Sequence, residues 1–463
     1  MKEQHVLVER LVRHAMSLRF EDIPSEAIDI ARWLVFDSLG TGLGGFQREL
    51  GRKAARFAEA RRGREEATVL GTGVRTSAEE AAFANGVMIK ILGMDDSHRT
   101  GSHIASQVVP AALASAELHG TSGRDLLTAI VGTYDLAVRV GHTVRSAQRQ
   151  RGLDIKGTVG AMAAALVAGL CADLDEETVI HAVSLAADMA SGTEQYVFEG
   201  GDCDTKDLIA GFAAKNGVFA VNLARSGFYG PRGALDGQYG FFRAFGDGYD
   251  PAVFDDLGQH FAITTTAFKP HGGCRHTHQA VDAVQQILRE ELLDPGQISA
   301  IKVETYQAAL QPHFRIDPEP PSQGVAGLSI RVAVAVALTE GSAWPNDFKN
   351  WDSPEVRRLR RLVDIAVEPE IETNYPDMNG SRVIVTLNNG DLHTGYVRNA
   401  KGEPEFRMSP QEMREKFEVL TRELLSQEAI DEISAICSNL QDERNVDRLL
   451  ELTAAPEIQL VGA

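Results

Sequence analysis

The stretch from Gly93 to Pro110 carries the densest set of side chains that could do chemistry. These side chains are the carboxylates of Asp95 and Asp96, the imidazoles of His98 and His103, the guanidinium of Arg99 and the hydroxyl of Ser97. Such groups can move protons and bind anions. The same spacing would also suit a solvated turn capped by acidic residues, so both interpretations stay open at this point.

Two long helical patterns flank this loop and would hold it in place. The upstream pattern begins at Ser77-Ala-Glu-Glu80, a capping box in which hydroxyl and carboxylate satisfy backbone donors, and it stays apolar to Leu92. The downstream pattern has Pro110 near its start and runs to Gly120. A titratable loop between rigid helices is a common way to position catalytic groups.

A second cluster of chemically capable residues lies between positions 269 and 278. Its members are Lys269, His271, Arg275, His276 and His278. Three imidazoles, an ammonium and a guanidinium within ten residues of an acidic chain indicate a local anion site. A metal pair formed by His276 and His278 is the weaker alternative, because no carboxylate or cysteine follows at ligand spacing. A merely structural helix start is the other.

Two isolated cations are further candidates for binding an anion. Lys206 stands in the first turn of a helix predicted over residues 205–222, where its charge opposes the helix dipole unless an anion lies nearby. Arg331 lies within the apolar run 329–337, and a buried arginine requires a carboxylate partner. That partner could be an internal side chain or a substrate.

The whole chain limits the class of protein. Its 463 residues predict two or three domains, and a formal net charge of −19 argues against nucleic acid and anionic membranes as partners. The four cysteines are scattered singly, which argues against a disulfide framework, a structural zinc site or an iron–sulfur cluster. The N-terminus does not read as a signal peptide, and the apolar run 159–170 is too short to span a bilayer. We therefore expect a cytoplasmic protein.

The order of patterns along the chain predicts two architectures. Amphipathic helices are expected over 5–18 and 24–39, with a break from Gly40 to Gly45, and helical patterns continue to about residue 264. A strand over 298–304 and a hairpin over 383–397, with an Asn-Gly turn signal, then predict a smaller α/β unit. From Ser409 the pattern is helical again.

The available groups suit a limited set of reactions. The chain shows neither a glycine-rich phosphate loop nor a nucleophile elbow. Carboxylates, imidazoles, lysines and arginines together suit removal of a proton beside a carboxylate, which generates an enediolate carbanion that cations stabilise. Loss of water from this carbanion defines a dehydratase, reprotonation an epimerase or isomerase, and loss of carbon dioxide a decarboxylase.

Several stretches resemble the MmgE/PrpD family. They are Met94–His98 with His103, 109–114, 123–127, 157–161, 206–217 with 228–231, and 268–270 with 274–278. They occur in family order and span most of the chain. The resemblance implies a mainly α fold: a large all-helical domain from residues 1–266 and 401–463, and a smaller α/β lid domain from 267–400. It also implies a homodimer without a cofactor or metal, and a small di- or tricarboxylate substrate bound between the domains.

The resemblance also assigns individual positions. The family's loop threonine corresponds to Ser97, its histidine to His103, and its two lysines to Lys206 and Lys269. This chain departs from the family pattern at four positions. Gly93 replaces an aspartate, Asp154 replaces a histidine, Arg331 stands where a lid-helix tyrosine is expected, and Ile104 replaces a proline.

These observations lead to the hypothesis of a cofactor-independent lyase, similar to 2-methylcitrate dehydratase, that acts on a small polycarboxylate. Among the predicted catalytic residues, His103 and Asp154 are the acid–base candidates, Lys206 and Lys269 bind carboxylates, and Asp95, Asp96 and Ser97 orient the site. The predicted substrate-binding residues are Arg275, His276, Arg331, Arg99 and His98. The alternatives are an epimerase, isomerase or decarboxylase using the same carbanion, a non-catalytic polycarboxylate-binding relative and, less favoured, a metallohydrolase.

Overall fold

A computed structural model describes residues 6–98, 103–197, 203–310 and 318–455. Its helices are α1 (Leu7–Ser17), α2 (Ser25–Phe46), α3 (Glu49–Ala60), α4 (Ala78–Ile91), α5 (Ala105–His119), α6 (Gly123–Arg151), α7 (Ile155–Thr158), α8 (Gly160–Cys171), α9 (Glu176–Asp188), α10 (Thr205–Arg225), α11 (Phe241–Ala244), α12 (Arg275–Glu290), α13 (Gln323–Ala326), α14 (Ile330–Glu340), α15 (Pro354–Leu362), α16 (Pro369–Asn374), α17 (Pro410–Thr421), α18 (Gln427–Ser438) and α19 (Asp447–Glu451). Its strands are β1 (Ala67–Thr68), β2 (Arg75–Thr76), β3 (Ile298–Thr305), β4 (Val363–Val367), β5 (Ser381–Leu387) and β6 (Leu392–Val397). The predicted mainly α fold with a smaller α/β part is confirmed.

The body of the molecule is a helical core in which α4, α5, α8 and α10 pack against one another. Small residues make this close packing possible: a Cβ at Gly217 of α10 would lie 2.3 Å from the Cβ of Ala164 in α8. Helices that are apolar on several sides, such as α8, become buried between neighbours in this way. The ends of these closely packed helices therefore hold the loops of the site in place.

The predicted break from Gly40 to Gly45 is wrong, because α2 continues unbroken to Phe46. The glycines serve packing instead of a turn. A Cβ at Gly45 would lie 1.9 Å from the carbonyl oxygen of Met88 in α4, and one at Gly40 would lie 2.8 Å from the ring of Phe417 in α17. Tertiary packing outweighs the low intrinsic helix propensity of glycine here.

A four-stranded mixed sheet forms the smaller α/β part, in the order β4-β3-β5-β6. β3 pairs parallel with β4 and antiparallel with β5, and β5 and β6 form the predicted hairpin. α12 packs against β5, β6 and α14. The first turn of α12, which holds Arg275, His276 and His278 of the second cluster, thus belongs to this part of the molecule.

Two large hydrophobic cores divide the described chain, and a small third cluster contains Leu92, Met94 and Leu420. One draws on residues 7–268 and 408–450, and the other on residues 280–387. The C-terminal helices therefore return to the helical body, and from this division we propose domain boundaries near residues 267 and 400. None of the described helices combines the length and the apolar character needed to cross a membrane.

Candidate active site

A cavity of about 610 Å³ is lined by residues of both the helical body and the α/β part. Its described lining includes eight lysines and arginines against four aspartates and glutamates. The cations are Arg48, Lys90, Arg145, Arg149, Lys156, Lys206, Lys269 and Arg275, and the acids are Asp154, Glu194, Asp207 and Glu403. This local excess of positive charge lies in a chain whose net charge is −19. The cavity is therefore suited to an anionic ligand.

The loop from Gly93 to His98 is tied down from several directions. Ser97 and Ala267 exchange backbone hydrogen bonds of 2.9 Å, which places Lys269 beside the loop. Lys269 Nζ donates to the Gly93 carbonyl at 2.7 Å, and Lys416 Nζ donates to the Met94 carbonyl at 2.8 Å from within the helical core. The two predicted clusters thus meet at one wall of the cavity.

Asp95 and Asp96 are buried behind this wall and are absent from the described lining of the cavity. Lys90 Nζ donates to both carboxylate oxygens of Asp95, at 2.9 and 3.2 Å. Asp96 accepts from the amide of Ala105 at 2.9 Å and from the Tyr134 hydroxyl at 3.0 Å. Both carboxylates therefore hold the loop from inside, and their role in orienting the site stays a prediction.

Burial acts differently on the pKa values of these two carboxylates. For Asp95, burial alone would raise the pKa, but the positive charges of Lys90 and Lys269 hold it well below its usual range. For Asp96, burial and the neighbouring Asp95 charge raise the pKa to about 7. The loop therefore carries a firmly ionised carboxylate next to one that titrates near neutral pH.

His103 lines the cavity in a defined tautomer. Its Nδ1 lies 2.6 Å from the Asp96 backbone carbonyl, which can only accept, so Nδ1 carries the proton. Burial and then the positive charge of Lys90 lower the pKa of His103 well below its ordinary value of 6.5. The neutral ring therefore has its unprotonated nitrogen at Nε2, as a general base requires.

Lys90 and Lys269 form a crowded pair of buried ammonium groups beside His103. Burial lowers the pKa of Lys90, although Asp95 opposes this shift. Burial and then the charge of Lys90 lower the pKa of Lys269 to about 7. An ammonium with such a pKa can donate a proton at neutral pH, and an anion bound beside it would stabilise its charged form.

The corner between α6 and α7 contributes a second kind of charged group. Asp154 caps α7, accepting from the Lys156 amide at 2.9 Å, and its other carboxylate oxygen accepts from Lys156 Nζ at 2.7 Å and from the Tyr196 hydroxyl at 2.9 Å. Burial would lower the pKa of Lys156, but Asp154 and Tyr196 outweigh it and raise this pKa above its ordinary value. Lys156 is therefore a permanent cation with its own counter-ion.

The N-terminus of α12 brings Arg275 and His276 to the cavity. Arg275 Nε donates to Glu403 at 2.8 Å, which orients the guanidinium. His276 Nδ1 lies 2.6 Å from the Tyr306 hydroxyl, which in turn accepts from Gln279 Nε2 at 3.3 Å. Since the hydroxyl accepts from Gln279, it can donate to His276 Nδ1, which places the ring proton on Nε2. His276 is thus prepared to donate a hydrogen bond, whereas His103 is prepared to accept one.

The remaining predicted site residues differ in where the structure places them. Lys206, Ser97 and His98 line the cavity, and His98 hydrogen-bonds to Thr265. Arg331, which was predicted to bind substrate, does not belong to the described lining of the cavity: it lies on α14 and is partly exposed. The apolar side chains of its helix pack into the second core. Arg99 falls outside the described residues.

Asp95, Asp96 and His103 also come together as a possible cation site. One ligand atom of each lies within 4.8 Å of the others. However, the ammonium of Lys90 already contacts both oxygens of Asp95, and the nearest His103 nitrogen, Nδ1, carries the proton donated to Asp96. A metal ion here would have to displace an internal cation, so the donor set fits the lysine better than a metal.

The sequence reasoning missed several lining residues, above all Lys90 and Lys156. A signal for Lys90 existed, because it stands in the apolar run from Val87 to Leu92 and a buried lysine requires an acidic partner. The same reasoning was applied to Arg331, whose side chain is partly exposed. Lys156 follows Asp154 by two residues, and only the turn of α7 brings the two side chains together. Tyr196, Arg145 and Arg149 carried no local signal.

Comparison with known proteins agrees with this geometry. Residues 9–253 match the MmgE/PrpD N-terminal domain, and residues 271–442 match the MmgE/PrpD C-terminal domain. The chain belongs to the MmgE/PrpD family. The predicted resemblance is confirmed, and with it the two-domain architecture of the family.

Curated relatives cover nearly the whole chain. The cis-aconitate decarboxylase of Aspergillus terreus strain NIH 2624 is 26% identical, over 96% of this chain and 94% of the relative. The human cis-aconitate decarboxylase is 26% identical, over 95% of this chain and 92% of the relative. The cis-aconitate decarboxylase-like protein oryM of Aspergillus oryzae is 27% identical, over 94% of each chain. The chain is thus similar throughout to enzymes whose names specify a small carboxylate substrate.

Proposed function

We propose that this protein is a cofactor-independent lyase that eliminates water from a small polycarboxylate through an enediolate carbanion. The observation that carries the proposal is the neutral, tautomer-fixed His103 at the wall of a cationic cavity. A base that remains unprotonated beside several positive charges can remove a proton from the carbon next to a carboxylate. The same charges then stabilise the carbanion that forms.

Lys269 is the proposed acid of the elimination. Its pKa of about 7 allows the ammonium to protonate a departing hydroxyl group at neutral pH. Its hydrogen bond of 2.7 Å to the Gly93 carbonyl fixes the ammonium against the loop that leads to His103. Loss of the hydroxyl as water completes the reaction, because the proton taken by His103 and the proton given by Lys269 balance.

The carboxylates of the substrate are assigned to the cations around these two groups. Lys206 and Arg275 offer charge, and His276 offers a hydrogen bond from Nε2. Ser97, held by the backbone bridge to Ala267, offers a hydroxyl at the cavity wall. Asp154 is assigned to positioning Lys156 and not to acid–base chemistry, because its second oxygen already accepts from Lys156 and Tyr196.

Decarboxylation is the second candidate function. It is favoured by relatives named cis-aconitate decarboxylase, which are similar over almost the full chain. Loss of carbon dioxide needs an acid to protonate the resulting carbanion and does not need a base to start the reaction. The two candidates therefore differ in the part that His103 plays.

The deciding experiment incubates the pure protein with methylcitrate, citrate, cis-aconitate and iminodisuccinate in deuterium oxide and follows each by NMR. An unsaturated product with release of water supports the proposed dehydratase, and carbon dioxide release supports the second candidate. Deuterium incorporation without elimination would reveal an epimerase. Tight binding with no change in any compound would sink both lyase proposals in favour of a non-catalytic binding protein.

We also propose a homodimer for this protein. Phe57 on α3 and Phe212 and Phe219 on α10 are exposed, and both helices pack against α4. The ring of Phe83 in α4 lies 5.7 Å from that of Phe57 and 5.6 Å from that of Phe212. Such a patch of large apolar side chains is typical of a protein interface. Sedimentation equilibrium should give twice the chain mass of 50.2 kDa, and a monomer would contradict the assignment.

A further inference from the structure

The cavity is larger than a small polycarboxylate requires. At about 30 Å³ per non-hydrogen atom, roughly the volume of one water molecule in the liquid, a tricarboxylate of about 13 such atoms would fill about 390 Å³. The cavity measures about 610 Å³. On the same scale it has room for about seven further non-hydrogen atoms.

The extra space has a distinct chemical character on one side. Leu92, Val325, Leu328, Pro345 and Phe348 line it, and together we call them the apolar arm. Val325 and Phe348 are almost fully buried, so they are part of a fixed wall. Arg48 lies next to this side, where its guanidinium donates to Asn346 at 3.0 Å, but the side chains of the arm itself offer aliphatic and aromatic carbon.

Backbone contacts show that the segments of the apolar arm lie together. Gly272 donates to the Ala343 carbonyl at 2.9 Å, and Cys274 donates to the Gly327 carbonyl at 2.9 Å. A Cβ on Gly93 would lie 3.5 Å from the Gly273 carbonyl oxygen. Residues 272–274 therefore join the segments that carry Leu92, Leu328 and Pro345.

The space continues beyond the arm. A second cavity of about 290 Å³ shares Arg48, Leu92 and Pro345 with the first. Its wall combines the apolar side chains of Trp344, Leu420 and Leu424 with the charged side chains of Arg48, Arg52, Lys349 and Glu423. The two cavities thus border the same residues, but the apolar surface offered to a chain extending from the cationic end is that of the arm itself.

We propose that the substrate carries, next to its carboxylates, an unbranched apolar substituent that lies along the apolar arm. This inference rests on the proposed function, since it assumes that the carboxylates occupy the cationic end. The substituent displaces water from the apolar arm. It also fixes the orientation of the carboxylates, because the cationic end binds the carboxylates and the apolar arm binds the substituent. A substituent longer than methyl is what the free volume accommodates.

The test uses a series of polycarboxylates that share one carboxylate-bearing end and carry hydrogen, methyl, butyl or hexyl at a single carbon. We expect kcat/KM to rise about fourfold for each methylene buried, the factor given by the usual transfer free energy of a methylene group. Leu328→Trp, which fills the arm, should abolish the preference for butyl and hexyl. Leu292→Trp adds the same ring at a side chain that is 94% exposed and should keep the preference.

The outcomes separate this inference from the proposed function. If the unsubstituted compound is turned over and kcat/KM falls with chain length, the arm is overturned while the lyase proposal stands. A preference that persists in Leu328→Trp would also overturn it. If no compound is turned over, the lyase proposal fails, and calorimetry of binding by the same series then tests whether the apolar arm binds the substituent. Affinity that rises with chain length supports the arm, and flat or falling affinity overturns it.

Discussion

The cavity has two walls that contain the same residue types in different arrangements. In the loop wall, Lys90, Lys269 and His103 crowd together while their carboxylate, Asp95, lies buried behind them. In the corner of α6 and α7, Lys156 and Asp154 line the cavity side by side. The loop wall therefore has one buried carboxylate for two lysines, and the corner has one carboxylate for one lysine.

This difference shows in the direction of the lysine pKa values. Burial and mutual repulsion lower the pKa of Lys269 to about 7, whereas Asp154 raises that of Lys156. A bound anion would relieve the loop wall and would do little for the corner. We therefore expect substitutions in the loop wall to act on chemistry, and substitutions in the corner to act on binding.

The largest expected effect is that of His103→Ala in the loop wall. Loss of a general base should lower kcat by about a hundredfold or more. His103→Gln is the matched variant, because its amide can still donate to the Asp96 carbonyl but cannot take a proton. Steady-state kinetics of both variants test this, and turnover equal to that of the unmodified protein would remove His103 from the mechanism.

The next effect concerns the support behind the loop wall. Lys416→Met leaves Asp37 buried without its partner at 2.6 Å and the Met94 carbonyl without its donor, so the free energy of unfolding should fall by about 3–5 kcal/mol. Burial already raises the pKa of Asp37. Without Lys416 the folded protein would take up a proton there, so the loss should be larger at pH 8 than at pH 5.

Urea unfolding at the two pH values measures this loss. The control is Arg448→Met, which breaks an exposed pair with Glu432 and should cost less than about 1 kcal/mol. The double variant Asp37→Leu with Lys416→Met should recover part of the stability, since it leaves no unpaired charge. A Lys416→Met protein as stable as the control would show that the loop does not depend on this support.

The same two walls show what the sequence could and could not predict. His103, Lys206 and Lys269 were found because the family pattern marks them, and the structure brings all three to one cavity. The flanking helices followed from the capping box and the apolar pattern that runs to Leu92. Local patterns therefore predicted the elements and the residues at their ends.

What the sequence could not predict depends on which way a side chain turns and on contacts between distant segments. The sequence shows two adjacent carboxylates, Asp95 and Asp96, but only the fold shows that both turn inward, where Lys90 and Tyr134 complete their hydrogen bonds. The glycines of α2 looked like a break, and only the approach of α4 and α17 reveals their purpose. Long-range packing of this kind leaves no mark at a fixed sequence spacing.

In the corner, Asp154→Asn should have a smaller effect than the changes to the loop wall. The amide can still cap α7 through its oxygen, but Lys156 loses its counter-ion and the cavity gains positive charge. We expect KM for a polycarboxylate to fall by about threefold to tenfold, within the usual range for a charge interaction of about 1 kcal/mol near a protein surface. The change in kcat should stay far below a hundredfold.

Steady-state kinetics of Asp154→Asn should be compared with those of Asp207→Asn, which alters another acid of the cavity lining. The comparison distinguishes an effect on binding from an effect on the chemical step. A hundredfold loss of kcat with an unchanged KM in Asp154→Asn alone would mean that Asp154 transfers a proton, as the sequence suggested. The neutral corner and the charged loop wall would then share the chemistry.

The smallest expected effect is a displacement of the pH profile. If His103 is the base, kcat/KM should fall on the acidic side only below pH 6.5, because the lowered pKa of His103 keeps the ring neutral to lower pH. If Lys269 is the acid, kcat/KM should fall on the alkaline side with an apparent pKa of about 7. Lys90 lowers both pKa values, so Lys90→Met should move both limbs toward higher pH. Asp154→Asn should leave both limbs nearly in place, since Asp154 is not among the leading influences on either group. If Asp154→Asn moved the limbs of the pH profile and Lys90→Met did not, the acid and the base would belong to the corner and not to the loop wall.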